Sequence, residues 1–288
     1  MFNATIKKSV SGIDYIGVKS ASLPHFVQTL RNAGSNNAVM SGNNSSAKEN
    51  RDGWSGTDTL EEAYRLAVEG WREPLERIKR DYRAAAATDG FEPRRASLRA
   101  DVVGCLPLVS AALAGLPCAM LRDTTKRRKS RTLEIYYAPT ANWDTTAEEL
   151  IKAGIVVLTL INGLERSGYS CRLVAVNYIA DAGNERLATL VTIKDYRAPL
   201  DLAKVAFPLA SPAFLRRLGF RALETLAEIK ASGWSGGYGH SITDRRTAES
   251  VLHNLGFLGD DARYFSFTDV KRANYNPATL ARAVGIEL

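Results

Sequence analysis

The stretch GWSGGYGH, residues 233–240, gathers a serine between glycines, a glycine-rich turn and a histidine, the densest set of groups in the chain with a chemical use. Gly233, Ser235 and Gly237 have the G-x-S-x-G spacing in which a serine at a sharp strand-to-helix turn becomes a nucleophile. That elbow needs a strand in front of it, and the residues before 233 read as a helix. Glycine-rich turns also cradle phosphate, but G-x-x-x-x-G-K-[ST] is absent, no G-x-G-x-x-G opens a helix after a strand, and the run holds no Lys. A loop that ends one helix and redirects the chain is the expected role. His25, His240 and His253 are isolated, with no i, i+4 pair for zinc. Glu165, Asp181 and Asp195 are the carboxylates to consider for acid/base work, yet Glu165 and Asp195 fall at element ends, where charge serves solvent or a cap. Cys105, Cys118 and Cys171 lack C-x-x-C spacing, and Cys105 and Cys118, with no neighbouring His, read as buried small hydrophobes. No catalytic residue, metal ligand or cofactor is assigned.

What remains is binding chemistry. The chain carries a formal net charge of +7 with a pI near 9.3, which favours phosphate backbones and acidic partners. Lys126, Arg127, Arg128, Lys129 and Arg131 concentrate that charge in TKRRKSR, residues 125–131, and Arg216, Arg217 and Arg221 form a second group. These residues are expected to make a basic face for a nucleic-acid or protein partner. Tyr136 and Tyr137 belong to the following strand and do not interleave with the basic run as base-stacking platforms. The other candidate is the end of LEIYYAPTANW, residues 133–143, where a strand stops at Pro139. Open α/β sheets bind ligands outside the carboxyl ends of their strands, so Thr140, Asn142 and Trp143 stand where a ligand would sit; the alternative is a polar turn that only caps the next helix.

The elements that must position these groups follow from patterning. A chain of 288 residues, 45% hydrophobic and 24% charged, can bury a sizeable core. The longest apolar window, AGIVVLTLI at 153–161, falls short of the ~18 residues of a membrane span and reads as a core helix. The first 17 residues contain no apolar signal region, and three cysteines without a pairing pattern fit a reduced cytoplasm. Residues 1–100 read as a mainly helical portion. A helix capped by Ser22 comes first, then a mobile polar loop over 35–53, a helix starting at Asp58 with Leu60, Ala63, Leu66, Ala67 and Trp71 on one face, and another over 72–87. Residues 88–103 mark the candidate boundary. A small-residue helix then lies between two Leu-Pro dipeptides at 104–121, suited to close backbone packing.

From 101 to 288 the order is α/β. TLEIYYAP is a strand, and a long helix starts at Thr145 or Thr146 with a capping box to Glu148 or Glu149 and ends at Gly168. SCRLVAVNYI and ERLATLVTIKDY are two strands split by ADAGN. A second strong helix starts at Ser211-Pro212 with Leu215, Leu218, Ala222, Leu226 and Ile229 on one side. RYFSF at 263–267 is a further strand, and Asn276 caps a terminal helix. A strand, crossover helix and strand make a right-handed parallel unit, and the hairpin adds an antiparallel neighbour, giving an open mixed sheet with helices on both faces.

Two resemblances carry further expectations. LIKAGIVVLTLINGLERSGYSCRLVAV, followed by a hairpin and TIKDY, resembles the front half of von Willebrand factor A domains over roughly residues 132–232. In that family the first strand ends in D-x-S-x-S, whose oxygens hold a divalent cation. Here APTAN puts Ala138 at the carboxylate position, with Thr140 and Asn142 at the hydroxyl positions; the resemblance implies the scaffold without the metal, since a hard cation needs charged oxygen ligands. Across nearly the whole chain, W-S-G-T-x-x-x-x-E-A at 54–63, G-C-L-P at 104–107, G-L-P-C-A-M at 115–120, P-x-F-L-R-R-L-x-F at 212–220 and G-Y-G at 237–239 are similar to uncharacterised proteins of tailed bacteriophages and prophages. That resemblance implies a protein acting in the host cytoplasm or packaged in a virion. The expected function is non-enzymatic binding of a protein or nucleic-acid partner through the basic face. A virion or assembly component is the second expectation, and a hydrolase-like enzyme with its site near 233–240 the third.

Overall fold

The computed structural model describes residues 2, 4–34, 46–47, 53–77, 80, 98–104, 106–123, 131–142, 144–226, 228 and 238–286. Loop 35–53, the helix expected over 72–87, the boundary at 88–103, Cys105, the basic residues Lys126 to Lys129, Trp143 and Ser235 lie wholly or largely outside these residues.

The chain begins with two strands, β1 (Ala4–Val10) and β2 (Ile13–Ser20), where a mainly helical portion was expected. Helices α1 (Leu23–Asn32) and α2 (Leu60–Glu69) follow. Ser22 caps α1 as expected, accepting from the His25 amide at 3.3 Å. Helix α2 is capped one residue later than expected: Thr59 Oγ1 accepts from the Glu62 amide while Glu62 reaches back to the Asp58 amide.

A three-stranded unit comes next, built from β3 (Leu98–Asp101), β4 (Leu106–Pro107), α3 (Val109–Leu113) and β5 (Met120–Asp123) in the order β3-β5-β4. Helix α3 has no buried residue, and Cys118 is exposed. Gly104 makes the close backbone approach expected of the small residues here, since a Cβ on it would lie 2.2 Å from Leu121 O, whereas Gly115 has open space around it and Cys118 is not the buried hydrophobe its sequence surroundings suggested.

The rest follows the expected order. Strand β6 (Arg131–Ala138) leads into α4 (Ala147–Arg166), then β7 (Tyr169–Ala182), β8 (Glu185–Lys194) and α5 (Leu202–Ala210). A π-helix, π1 (Phe214–Gly219), runs into α6 (Phe220–Thr225). Strand β9 (His240–Ser241), α7 (Arg245–Asn254), β10 (Arg263–Ser266), α8 (Phe267–Arg272) and α9 (Pro277–Ala283) complete the chain. Thr146 and Glu149 form the capping box that starts α4, and Gly168, at φ 96, turns the chain out of it. Gly183, at φ 57, and Asn184 make the two-residue turn between β7 and β8.

The main sheet has the order β1-β2-β8-β7-β6-β10, with β9 added on β7. Its pairs β6/β7, β6/β10 and β2/β8 are parallel, while β7/β8 and β1/β2 are antiparallel. The sheet is mixed and does not divide near residue 100, because β2 from the N-terminal portion pairs with β8 along Asp14↔Glu185 to Ser20↔Val191. Strands β7 and β8, and β6 from Ile135 to Ala138, are nearly continuous runs of buried residues because both faces are covered. Ile135 and Tyr137 point to the side of α4, α5, α8 and α9, whereas Tyr136 and Ala138 point to the side of α7.

Helix α4 is buried from Leu150 to Leu164 apart from Ile151, Lys152 and Asn162. It meets α5 at backbone distance: a Cβ built on Gly154 would lie 2.2 Å from the Ala210 Cα and 2.3 Å from the Leu209 carbonyl oxygen. Among the described residues, no helix is long and apolar enough to cross a membrane. Ala normally improves a helix interior by ~1 kcal/mol over Gly. Gly154→Ala should instead destabilise the protein by about 1–3 kcal/mol through overpacking, read from urea unfolding midpoints; a stabilised variant would show that the two backbones do not meet.

Candidate functional site

Strand β7 outruns β6. The last β6/β7 pair is Tyr137↔Ala175, and on the edge that β6 vacates, β9 pairs with β7 at Ala180↔Ser241 and Asp181↔His240. The Ile242 amide donates to Ile179 O at 3.1 Å, and Ser241 Oγ donates to Ala141 O at 3.3 Å. A crevice therefore opens at the carboxyl end of β6. A cavity of about 330 Å³ lies there, lined by residues that include Trp54, Asn142, Arg216, Phe220, Tyr238 and His240.

A bulge and a π-helix shape one wall. The β7/β8 register shifts between Val176 and Tyr178, leaving Asn177 as the extra residue. Asn177 is fully buried, and its Nδ2 donates to Phe214 O at 2.6 Å, satisfying a carbonyl at the start of π1. Gly219 closes π1 against the same side chain, since a Cβ there would sit 3.0 Å from Asn177 Oδ1. π-bulges widen a helix by one residue and often mark functional segments. Here the widened turn carries Arg216 and Arg217, both turned inward.

These arginines were expected on an exposed basic face, and the structure corrects that: they are 2% and 0% exposed. Arg217 donates to Ser46 O at 2.9 Å, Thr57 O at 2.9 Å and Asp58 O at 3.0 Å. Arg216 donates to Trp54 O at 2.7 Å and to Thr145 O, and its guanidinium lies 4.2 Å from the centre of the Trp54 ring. Burial pulls the Arg216 pKa down to about 10, so the group stays cationic at neutral pH. Among the described residues no carboxylate lies within 4 Å of it, in contrast to Arg221, which meets buried Glu224 at 3.5 Å. Glu224 also accepts from Ser46 Oγ and Tyr238 Oη, each at 2.6 Å.

Aromatic rings finish the wall. Tyr238 stacks on Phe220 with centroids 3.8 Å apart and planes 7° from parallel, and Tyr178 meets Phe220 edge-on at 5.7 Å. Tyr178 donates to Tyr238 O, and burial pushes its hydroxyl pKa up. The wall is mainly aromatic around one buried cation, with the exposed Asn142 and His240 at its margin.

Of the ligand-binding residues expected from sequence, Asn142 lines the cavity. Thr140 is next to it, fully buried, with no hydrogen-bond partner for its hydroxyl among the described residues; Trp143 is outside them. Among the expected basic residues, Arg131 is exposed at the start of β6, donating to Tyr169 Oη at 3.3 Å, away from Arg216 and Arg217. Trp54, Tyr178, Leu215, Phe220, Tyr238 and Ser241 were not read as site residues. One signal was present: W-S-G-T, P-x-F-L-R-R-L-x-F and G-Y-G contribute Trp54, Arg216 with Phe220, and Tyr238, so three separated motifs meet at this cavity.

Of the carboxylates considered for acid/base work, Glu165 and Asp181 are engaged in ion pairs, and Asp195 is exposed. Glu165 accepts from the Cys171 amide at 2.8 Å and pairs at 2.8 Å with Lys194, whose buried ammonium also donates to Cys171 O at 2.8 Å. Asp181 pairs with Arg186 at 3.6 Å. No group of three or more His, Cys, Asp or Glu side chains among the described residues is placed to hold a metal ion.

Fold and cavity together define a mixed α/β protein with a ligand-sized crevice at the carboxyl end of a central parallel strand. Residues 11–275 match the family model described as Domain of unknown function (DUF7192), and the chain belongs to that family. No curated protein and no solved structure matches it.

Burial raises the Cys171 thiol pKa to about 12, so at pH 8 the group is a thiol and not the reactive thiolate. Peptide mass spectrometry after iodoacetamide treatment at that pH should find Cys171 unmodified in the folded protein and alkylated after urea unfolding; rapid native alkylation would contradict this placement.

Proposed function

We propose that this protein acts by binding, without catalysis, and that the crevice beyond β6 holds a negatively charged group of a protein or nucleic-acid partner. Arg216 carries the reading. Its guanidinium is buried against an indole face, occupied by two carbonyl oxygens and offset by no nearby carboxylate among the described residues. An arriving carboxylate or phosphate supplies the missing counter-charge in partly desolvated surroundings, where charge-assisted hydrogen bonds are strong. The cavity volume falls within the ~300–1,000 Å³ of small-ligand sites. The overall charge of +7 draws anionic partners from a distance.

The finer fold reading is a degenerate von Willebrand A-like core. It is supported by the run β8-β7-β6-β10, by the crossover of α4 between parallel β6 and β7, and by the antiparallel β8. Within that reading, Ala138 replaces the cation-binding carboxylate and Arg216 stands near the same strand end, so the preferred ligand charge is reversed. The resemblance of those motifs to phage proteins supports a role in an infected cell's cytoplasm. A virion or assembly component is the second reading, favoured by the exposed apolar side chains between Leu98 and Leu116.

Thermal shift with inorganic phosphate, a 5′-mononucleotide and a short acidic peptide tests the site. A probe present at a hundred times its Kd should add about 2.7 kcal/mol of stability. Asn142→Asp, an exposed change that puts a negative charge on the cavity margin, should weaken binding at least ~10-fold. Absence of any shift at millimolar probe, or an unaltered shift in the variant, overturns the reading. For a nucleic-acid partner, gel shifts at low salt should weaken on replacing Lys126, Arg127, Arg128 and Lys129 by Ala, with a shallower salt dependence; binding indifferent to those changes excludes a role for the basic run.

A further inference from the structure

The crevice beyond β6 offers more than a place for charge. Arg216 has five N–H donors, and the carbonyls of Trp54 and Thr145 take two of them, so three have no partner among the described residues. Flat rings stand beside that cation. The guanidinium lies 4.2 Å from the centre of the Trp54 ring, Trp54 is 6.2 Å from Phe220 with planes 30° apart, and Phe220 is piled on Tyr238 at 3.8 Å. All three rings are partly buried and line the same cavity of about 330 Å³. Its rim carries the exposed side-chain amide of Asn142, to which no group among the described residues is hydrogen-bonded.

The occupant that uses all of this brings a negative group and a flat ring close together, with polar atoms along the ring's edge. An Asp or Glu side chain carries its carboxylate on an aliphatic stem, which satisfies Arg216 and sets nothing against the rings. Inorganic phosphate has the same shortcoming. A base-paired duplex keeps its bases stacked on one another, so none lies in a crevice unless it is first extruded. An unpaired nucleotide meets every demand. Its phosphate is one sugar away from the base, every base has a π-face that stacks on aromatic side chains, and the base edge carries the donors and acceptors that an asparagine amide reads.

We propose, resting on the anion reading above, that the crevice takes an unpaired 5′-phosphorylated nucleotide, with Arg216 on the phosphate, Trp54, Phe220 and Tyr238 against the base and Asn142 at its edge. Titration calorimetry on the full chain compares a 5′-mononucleotide with ribose 5-phosphate, the unphosphorylated nucleoside and a short acidic peptide. The mononucleotide should bind at least ~10-fold tighter than each of the others. Tyr238→Leu should remove most of its advantage over ribose 5-phosphate. Free nucleotides and strand ends share this chemistry: a 5′-phosphorylated oligonucleotide that binds as tightly as the mononucleotide assigns the site to strand ends, and one that binds more weakly assigns it to free nucleotides. Ribose 5-phosphate or acidic peptide equal to the mononucleotide overturns the nucleotide assignment and leaves the anion reading standing, as does a Tyr238→Leu chain that keeps the full advantage. A nucleoside equal to the mononucleotide, or no binding by any of the four at millimolar concentration, overturns both. Because the ligand series uses the wild-type chain, it decides the matter even where Tyr238→Leu fails to fold.

Discussion

A buried guanidinium must find acceptors for its donors, and Arg216 and Arg217 impose that demand at adjacent positions of one widened helical turn. They meet it with backbone carbonyls from three distant places: Ser46, the run from Trp54 to Asp58, and Thr145 at the start of α4. The arginines therefore act as a clasp. They fix the segment before α2 against the helices that cover the sheet, and the crevice beyond β6 exists because that segment is held over it. The bulge at Asn177 belongs to the same device, since its amide takes up the carbonyl that frees π1 to widen.

Apolar periodicity and capping chemistry made much of the central sheet legible. Thr146 with Glu149, Gly168, the turn at Gly183-Asn184 and the N-cap Asn276 are local signals, and local signals survive folding because they depend on neighbours in the chain. The hairpin β1–β2 was not legible. Strand β1 lies at the sheet edge and alternates weakly, with Lys7 and Lys8 exposed, while the apolar side of β2 acquires meaning only beside β8. The unit at 98–123 misled for the opposite reason: small and apolar residues read as a core helix, although nothing within the described chain covers them.

The candidate site was half visible. The open-sheet rule draws attention to the space beyond the end of β6, and Asn142 lines the cavity there. The arginines were noticed for their charge but assigned to the surface, because sequence does not reveal that a π-helix turns both inward or that carbonyls await them. The aromatic wall was hidden as well, since Trp54, Tyr178, Phe220 and Tyr238 come from four separate segments and meet only through the sheet. That one cation among them lacks a nearby carboxylate is a property of three dimensions alone.

The place of β2 in the sheet also bears on how the chain matures. Synthesis delivers the first hairpin early, yet Asp14 cannot reach its parallel neighbour until Glu185 and the rest of β8 have left the ribosome. Such long-range pairing slows folding and leaves a strand edge waiting in the nascent chain. The two lysines at the centre of β1 guard the other side of the hairpin, the outer edge that stays unpaired in the finished sheet, where charge discourages pairing with other polypeptides.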